Sequence, residues 1–393
     1  MFIAKTKENE QVSLIPPISP TFLEKYSPPF YCPVCQQEVI LKTGNHRRWH
    51  FAHLPQKACP VSHKGESEMH REAKMILYQW LRQQKVRVEM EKYFPKIERQ
   101  ADLFLQWQSK NYVIEYQQSP LSPEEMLKRT TDYLSLQIEP IWMYGKNRLR
   151  PKRYAQFSIQ PFEWIGLRER RDDQRHAFIY FSPQTASFSF LFPRTTVQRS
   201  TIFADYYTLP LSKATISHVV HLPKTIDAPL DWNQEWLLHK WSWRYQRIRW
   251  QPYPDITSVK QLLLEQKADL SLYPSEAGWP TLCSETFATP IYVWQTIFLL
   301  QFLQHVLLYD TFSFSSLLDT FLLLIDHYSI QTREFPFISQ PLEKSLFAYL
   351  ELLTRMNVLQ KCKGGWRKLA PLILPRAVDD GFRMDKRWQH HIF

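Results

Sequence analysis

Two acids and an amide, Asp102, Glu115 and Gln117, fall within the stretch from Ile97 to Ser119, IERQADLFLQWQSKNYVIEYQQS. Phe104, Leu105 and Trp107, then Tyr112, Val113, Ile114 and Tyr116, are strand formers, and Gln108-Ser109-Lys110-Asn111 between them is turn-like. The stretch reads as a β-hairpin, with Asp102 near the start of its first strand and Glu115 and Gln117 on one face of its second. A carboxylate on a core strand is costly unless a partner or a metal compensates it. Two acids on neighbouring strands, facing one way, form the oxygen half of a divalent-cation site. A sheet with one wet face would leave the same residues solvated.

A second donor set lies upstream, in YCPVCQQEVILKTGNHRRWHFAH. Cys32 and Cys35 form Cys-x-x-Cys, and His50 and His53 form His-x-x-His. Two thiolates and two imidazoles suit tetrahedral Zn²⁺. The segment between them reads as a β-hairpin turning at Gly44-Asn45. So small a module has little core, and a structural zinc would supply much of its stability. Cys59 and His63 follow closely enough to replace a ligand, and His46 belongs at the hairpin tip.

The elements that must position these groups are legible from periodicity. In SHKGESEMHREAKMILYQWLRQQK, Met69, Ala73, Ile76, Leu77 and Trp80 recur at helical spacing. Glu66 falls near the middle of that apolar face at its N-terminal end, Glu68 points away, and His70 and Lys74 lie on the flank. Glu66 is either an acid favoured by the helix dipole or part of a site. Val86 to Phe94 alternates as a strand, and the hairpin follows. Ser122-Pro123-Glu124-Glu125 starts a second helix, with Ser at the N-cap, Pro at the first position and acids in the first turn. EPIWMY is a further strand. The order is helix, three strands, helix, strand, and Arg129 and Tyr133 share a face of the second helix.

That order, with an acid on the first helix, Asp on the second strand and Glu-x-Gln on the third, resembles the PD-(D/E)XK nuclease core. The zinc-like module, then GESEMHREAK, QAD, EYQQS, MLKRTTDY and PIWMYG, is similar to the competence protein CoiA family over roughly residues 25 to 150. The resemblance implies processing and recombination of incoming DNA during natural transformation. It implies that Asp102 and Glu115 are ligands to Mg²⁺ or Mn²⁺, that Tyr116 adds its backbone carbonyl, and that Glu66 is the helix acid with Glu68 as substitute. Gln117 stands where many such nucleases have Lys; an amide orients a water but cannot stabilise charge as an ammonium does. Arg129 and Tyr133 would face the DNA backbone, or else lie on the surface and in the core.

Composition and charge set the broader bounds. The 393 residues suggest two or three domains, and 44% apolar residues are ordinary for a packed globular chain. Lys and Arg exceed Asp and Glu by 11, which favours a polyanionic partner such as nucleic acid; the resemblance implies DNA, and the cations and aromatics of residues 240–250 suit its single-stranded form. The N-terminus turns polar too early for a signal peptide, the longest apolar region is broken by Gln and His, and a cytoplasmic location follows. Residues 1–57 are expected to form the zinc-finger-like module, 58–150 the nuclease-like α/β domain, and 151–393 a basic, Trp-rich domain, mixed and then mainly helical. Around KWSWRYQRIRW, residues 240–250, Trp232, Trp236, Trp243 and Trp250 recur at helical spacing as a core stripe, leaving Lys240, Arg244 and Arg247 as DNA contacts. The helix from Leu342 to Met356 and the basic hairpin after it suggest either a winged-helix fragment or a terminal cap.

The reading is thus a metal-dependent deoxyribonuclease that acts with recombination or competence proteins. Its rival is a DNA-binding accessory with an inactive nuclease fold, which Gln117 favours.

Overall fold

The computed structural model describes residues 1–44, 48–54, 59, 66–170, 172–173, 175–224, 233–245 and 253–392. The chain is mixed α and β and forms two compact units. The first comprises Met1–Leu149, Phe178–Phe190 and Tyr207–Lys224; the second comprises Arg150–Ala177, Leu191–Tyr206 and Thr225–Phe393. The first passage between them follows Leu149, where the chain turns basic.

In the first unit the expected order appears. Helix α1 (Glu68–Gln83) is followed by strands β1 (Arg87–Met90), β2 (Leu103–Trp107) and β3 (Lys110–Gln117), helix α2 (Pro123–Ser135) and strand β4 (Ile138–Gly145). β1, β2 and β3 run antiparallel, while β4 is parallel to β3, with Glu115 opposite Trp142. A parallel neighbour requires a crossover, and α2 supplies it. β3 is covered on both faces, so Tyr112 through Tyr116 are all buried. Both helices begin as their sequences require: the Ser67 hydroxyl accepts from the His70 N–H, and the Ser122 hydroxyl from the Glu125 N–H, each at 3.1 Å. The later segment Phe178–Phe190 returns to this unit because strand β5 (His176–Ser182) pairs in parallel with β4, Met143 against Ile179.

The N-terminal module belongs to the same unit. Its sheet has the order Gln11–Ser13, Ile3–Lys5, Phe30–Tyr31, Glu38–Lys42, His50–His53. The Phe2 and Ile3 N–H groups donate to the buried Glu91 carboxylate at 2.8 and 3.1 Å, so the module is joined to the core through polar contacts.

The second unit is mainly helical. Its core gathers Trp236 and Trp243 of helix α3 (Asn233–Arg244) with α4 (Ile291–Gln301), strand β6 (Thr311–Phe312), α5 (Phe314–His327), α6 (Pro341–Arg355) and the hairpin β7 (Leu359–Cys362) and β8 (Gly365–Lys368); α7 (Val378–Ile392) follows. The expected core stripe holds for Trp236 and Trp243, whereas Trp232 and Trp250 lie outside the described residues.

His239 packs among Phe203, Trp236 and Trp243 with ring centroids 4.9 to 6.1 Å away. Burial lowers its pKa to about 4, and the Arg153 charge adds to that. Between that value and 6.5 the unfolded chain binds more protons, so stability rises with pH across this window. Acidification through it is expected to remove up to about 3 kcal/mol. Urea unfolding at stepped pH checks this, and His239→Gln should flatten the dependence.

No helix among the described residues is long and apolar enough to cross a membrane.

Candidate metal centres

The hairpin ladder ends at Leu103 opposite Ile114, one residue short of pairing Asp102 with Glu115. Asp102 is therefore freed from strand alternation and turns toward the start of α1. Its Oδ2 accepts from the Tyr116 N–H at 2.9 Å, and its Oδ1 lies 3.0 Å from His70 Nε2. Glu66, just ahead of the Ser67 cap, brings Oε1 to 3.5 Å from the same imidazole nitrogen. One donor atom from each of Glu66, His70 and Asp102 lies within 4.8 Å of the other two. Two carboxylates and an imidazole form a chemically suitable donor set for a divalent cation that accepts nitrogen, Mn²⁺ more readily than Mg²⁺.

Lys74 lies at the edge of this group, almost fully buried. Its ammonium touches Glu66 and is 2.7 Å from Glu91 and 3.8 Å from Asp102. Burial would lower its pKa, but Glu66, Glu91 and Asp102 outweigh this and hold it above the usual lysine value. The same attractions act in reverse on the acids. Burial pushes Glu66 up, yet Lys74, the Met1 amine and His70 leave it below the ordinary carboxylate range. Asp102 is likewise lowered by His70 and Lys74 against its burial. Sequence placed His70 and Lys74 on a flank; the signal for them was the spacing Glu66, His70, Lys74, four residues each, which is one helical face.

Glu115 is not drawn into this group. It faces α2, where Arg129 pairs with Oε2 and the Tyr133 hydroxyl donates to Oε1 at 2.6 Å. Burial raises its pKa despite Arg129. Asp102 and Glu115 thus make no direct contact: Glu115 faces α2 and its Arg129, while Asp102 and His70 stay near enough to act on its charge. Arg129 and Tyr133, expected at the DNA backbone, both hold Glu115: Arg129 pairs with Oε2 with its side chain still 20% exposed, and Tyr133 is buried. Gln117 turns its amide to the Ser119 carbonyl, and Tyr116 contributes its N–H to Asp102.

In the N-terminal module Cys32, Cys35, His53 and Cys59 bring one donor atom each to within 4.8 Å of one another. His50 is absent from this group and lies with Nδ1 2.9 Å from the Arg48 carbonyl. The reason is elementary: both histidines are on the strand His50–His53, and residues three apart on a strand face opposite ways. Cys59 takes its place, and His46 and His63 lie outside the described residues. Cys35 Sγ is 3.3 Å from His53 Nε2. Burial pushes the Cys32 thiol up to about 12, so only a thiolate-seeking cation would draw off its proton at neutral pH. The Cys₃His set fits Zn²⁺. Cys59→Ser is expected to lower zinc content of purified protein to half or less and to lower the melting temperature by several degrees, with His50→Ala close to wild type; elemental analysis and thermal melts check both.

Lys240 and Arg244, expected to meet DNA, are buried in the second unit. Arg244 forms a bidentate pair with Asp385 of α7 at 2.7 and 2.8 Å, and Lys240 lies 3.3 Å from the same carboxylate. Aromatic neighbours on α3 place both cations in the core, where the distant Asp385 pairs with both and Glu276 adds its field. Arg247 lies outside the described residues.

Comparison with known proteins agrees along most of the chain. The family models described as competence protein CoiA match in three parts: the N-terminal domain over residues 21–62, the nuclease-like domain over 66–224 and the C-terminal domain over 232–367. The competence protein CoiA of Bacillus subtilis (strain 168) is 26% identical over 270 residues, 68% of this chain and 70% of its own. No solved structure matches.

Proposed function

The chain belongs to the competence protein CoiA family, and from that premise we propose that its nuclease-like domain hydrolyses phosphodiester bonds of incoming DNA with a divalent cation held by Glu66, His70 and Asp102. The observation that carries this is the convergence of those three side chains at the start of α1 and the end of the hairpin. A bound Mn²⁺ or Mg²⁺ supplies a water of lowered pKa and neutralises charge on the phosphate. The chain's own groups do the rest. The Tyr116 N–H fixes one Asp102 oxygen, leaving the other toward His70 and Glu66. Lys74 places beside the acids the positive charge that Gln117 does not provide. Glu115 is a further carboxylate that Arg129 and Tyr133 would have to release before it could serve as a ligand.

Zinc in the Cys32, Cys35, His53 and Cys59 set would be structural, keeping the module folded against Glu91. The setting for such an activity is natural transformation and recombination in the cytoplasm, in company with other DNA-handling proteins. The engagement of Glu115 favours the second reading, an accessory that holds DNA without cutting it. Labelled single- and double-stranded DNA incubated with the protein in Mn²⁺ and in Mg²⁺ separates the two. Cleavage that requires the cation supports the nuclease; salt-sensitive binding with no cleavage in either metal supports the accessory.

A further inference from the structure

Between Ile291 and Lys368 the second unit runs helix α4, strand β6, helices α5 and α6, then strands β7 and β8. The sheet order is β6, β8, β7, with β8 antiparallel to both neighbours: Trp366 stands opposite Phe312 on one side and Lys361 on the other. The strand order and pairing are those of a winged helix with β7–β8 as the wing, while residues 328–340 join α5 to α6 in place of a short turn. We propose that this hairpin docks on the phosphate backbone of duplex DNA without reading sequence.

The charges support the wing as the contact. Residues 359–368 carry Lys361, Lys363, Arg367 and Lys368 and no acid. The first three are exposed. Cys362 pairs with Gly365, so Lys363 and Gly364 form a two-residue turn and Lys363 sits at its tip. Arg367 lies on the outer face opposite Gln360. Lys361, on the other face opposite Trp366, pairs with Glu351 at 3.2 Å and lies 5.0 Å from the Phe347 ring centroid, yet is 58% exposed, so a phosphate can displace Glu351.

The wing is also fixed in place. A Cβ at Gly365 would stand 1.9 Å from the Phe312 carbonyl oxygen, so the absence of a side chain lets β8 close onto β6. Lys368 anchors the base by donating to the carbonyls of Leu303 and Val306 at 2.9 and 2.8 Å. Helix α6, by contrast, is not equipped to read bases. It has no Asn or Gln, its Lys344 is paired with Glu169, its Glu343 and Glu351 repel phosphate, and its exposed Arg355 stands alone at its C-terminal end. Backbone contact without base readout suits a protein that handles DNA of any sequence. The inference stands whether or not the carboxylate centre cleaves DNA.

The test uses full-length protein and a fluorescent random-sequence duplex across a salt series, without added Mn²⁺ or Mg²⁺ and without chelator, so that cleavage and zinc loss do not enter. Lys361→Gln, Lys363→Gln and Arg367→Gln combined should weaken binding at least about tenfold near 0.1 M salt and make the log–log salt dependence shallower by roughly 2 to 3. The charge-preserving Lys361→Arg, Lys363→Arg, Arg367→Lys combination should bind like wild type. If the triple variant melts early, Lys363→Gln at the tip alone should cost about five- to eightfold and shift the slope by about 1. Unchanged affinity and slope in these variants, a wild-type protein that does not bind duplex, or a tenfold preference for one duplex sequence over another would each overturn the proposal.

Discussion

Asp102→Asn is expected to lower cation-dependent cleavage on the order of 10²–10³-fold while leaving duplex binding within about threefold. Asp102 is the residue on which the centre converges, since it meets the Tyr116 N–H, His70 and the field of Lys74. An amide keeps the shape and can still accept from Tyr116, but it removes the charge that a hard cation requires. Glu66→Gln should behave similarly. Glu115→Gln is the informative contrast. With Glu66, His70 and Asp102 intact it should retain cation affinity within about tenfold, yet lose cleavage at least tenfold if Glu115 acts as a further ligand. Gel assays of cleavage beside anisotropy measurements of DNA binding in all three variants check these values.

The second large effect concerns stability. Asp385→Ala should destabilise the second unit by about 3–5 kcal/mol, because Arg244 and Lys240 would remain buried without the carboxylate that pairs with both, leaving only the field of Glu276. Helix α7 lies close enough to the Arg244 guanidinium that a Cβ at Gly381 would come within 2.9 Å of it, so the cation has little room to move toward water. Burial already lowers Lys240 to about 7, with Asp385 opposing that shift. Asp385→Asn retains hydrogen bonding and should cost less. Denaturant unfolding followed by tryptophan fluorescence, which reports on Trp236 and Trp243, measures the difference; equal stability of the Ala variant and wild type would show that the pair contributes nothing.

The order of elements in the nuclease-like core was legible because period-2 and helical patterns, the Ser122-Pro123 start and the turn at Gln108-Ser109 all act locally. Side-chain partners were less so. Asp102 and Glu115 read as one face of a hairpin, but where the ladder stops and which helix covers Glu115 are tertiary facts. His50 shows how a spacing misleads: His-x-x-His suits ligands on a turn or helix, and on a strand it sends the rings to opposite faces. Cys59, named only as a substitute, could be found from composition but not ranked. Lys240 and Arg244 looked like surface cations because their neutralising acid, Asp385, lies far along the chain. Nothing between them in sequence signals the contact.

The most direct test of the cation centre is to count Mn²⁺ bound per chain by electron paramagnetic resonance in wild type, Glu66→Gln and Asp102→Asn. The arrangement of Glu66, His70 and Asp102 predicts a site filled in wild type and lost or weakened at least about thirtyfold in both variants. Mn²⁺ binding of equal stoichiometry and affinity in all three proteins would contradict it.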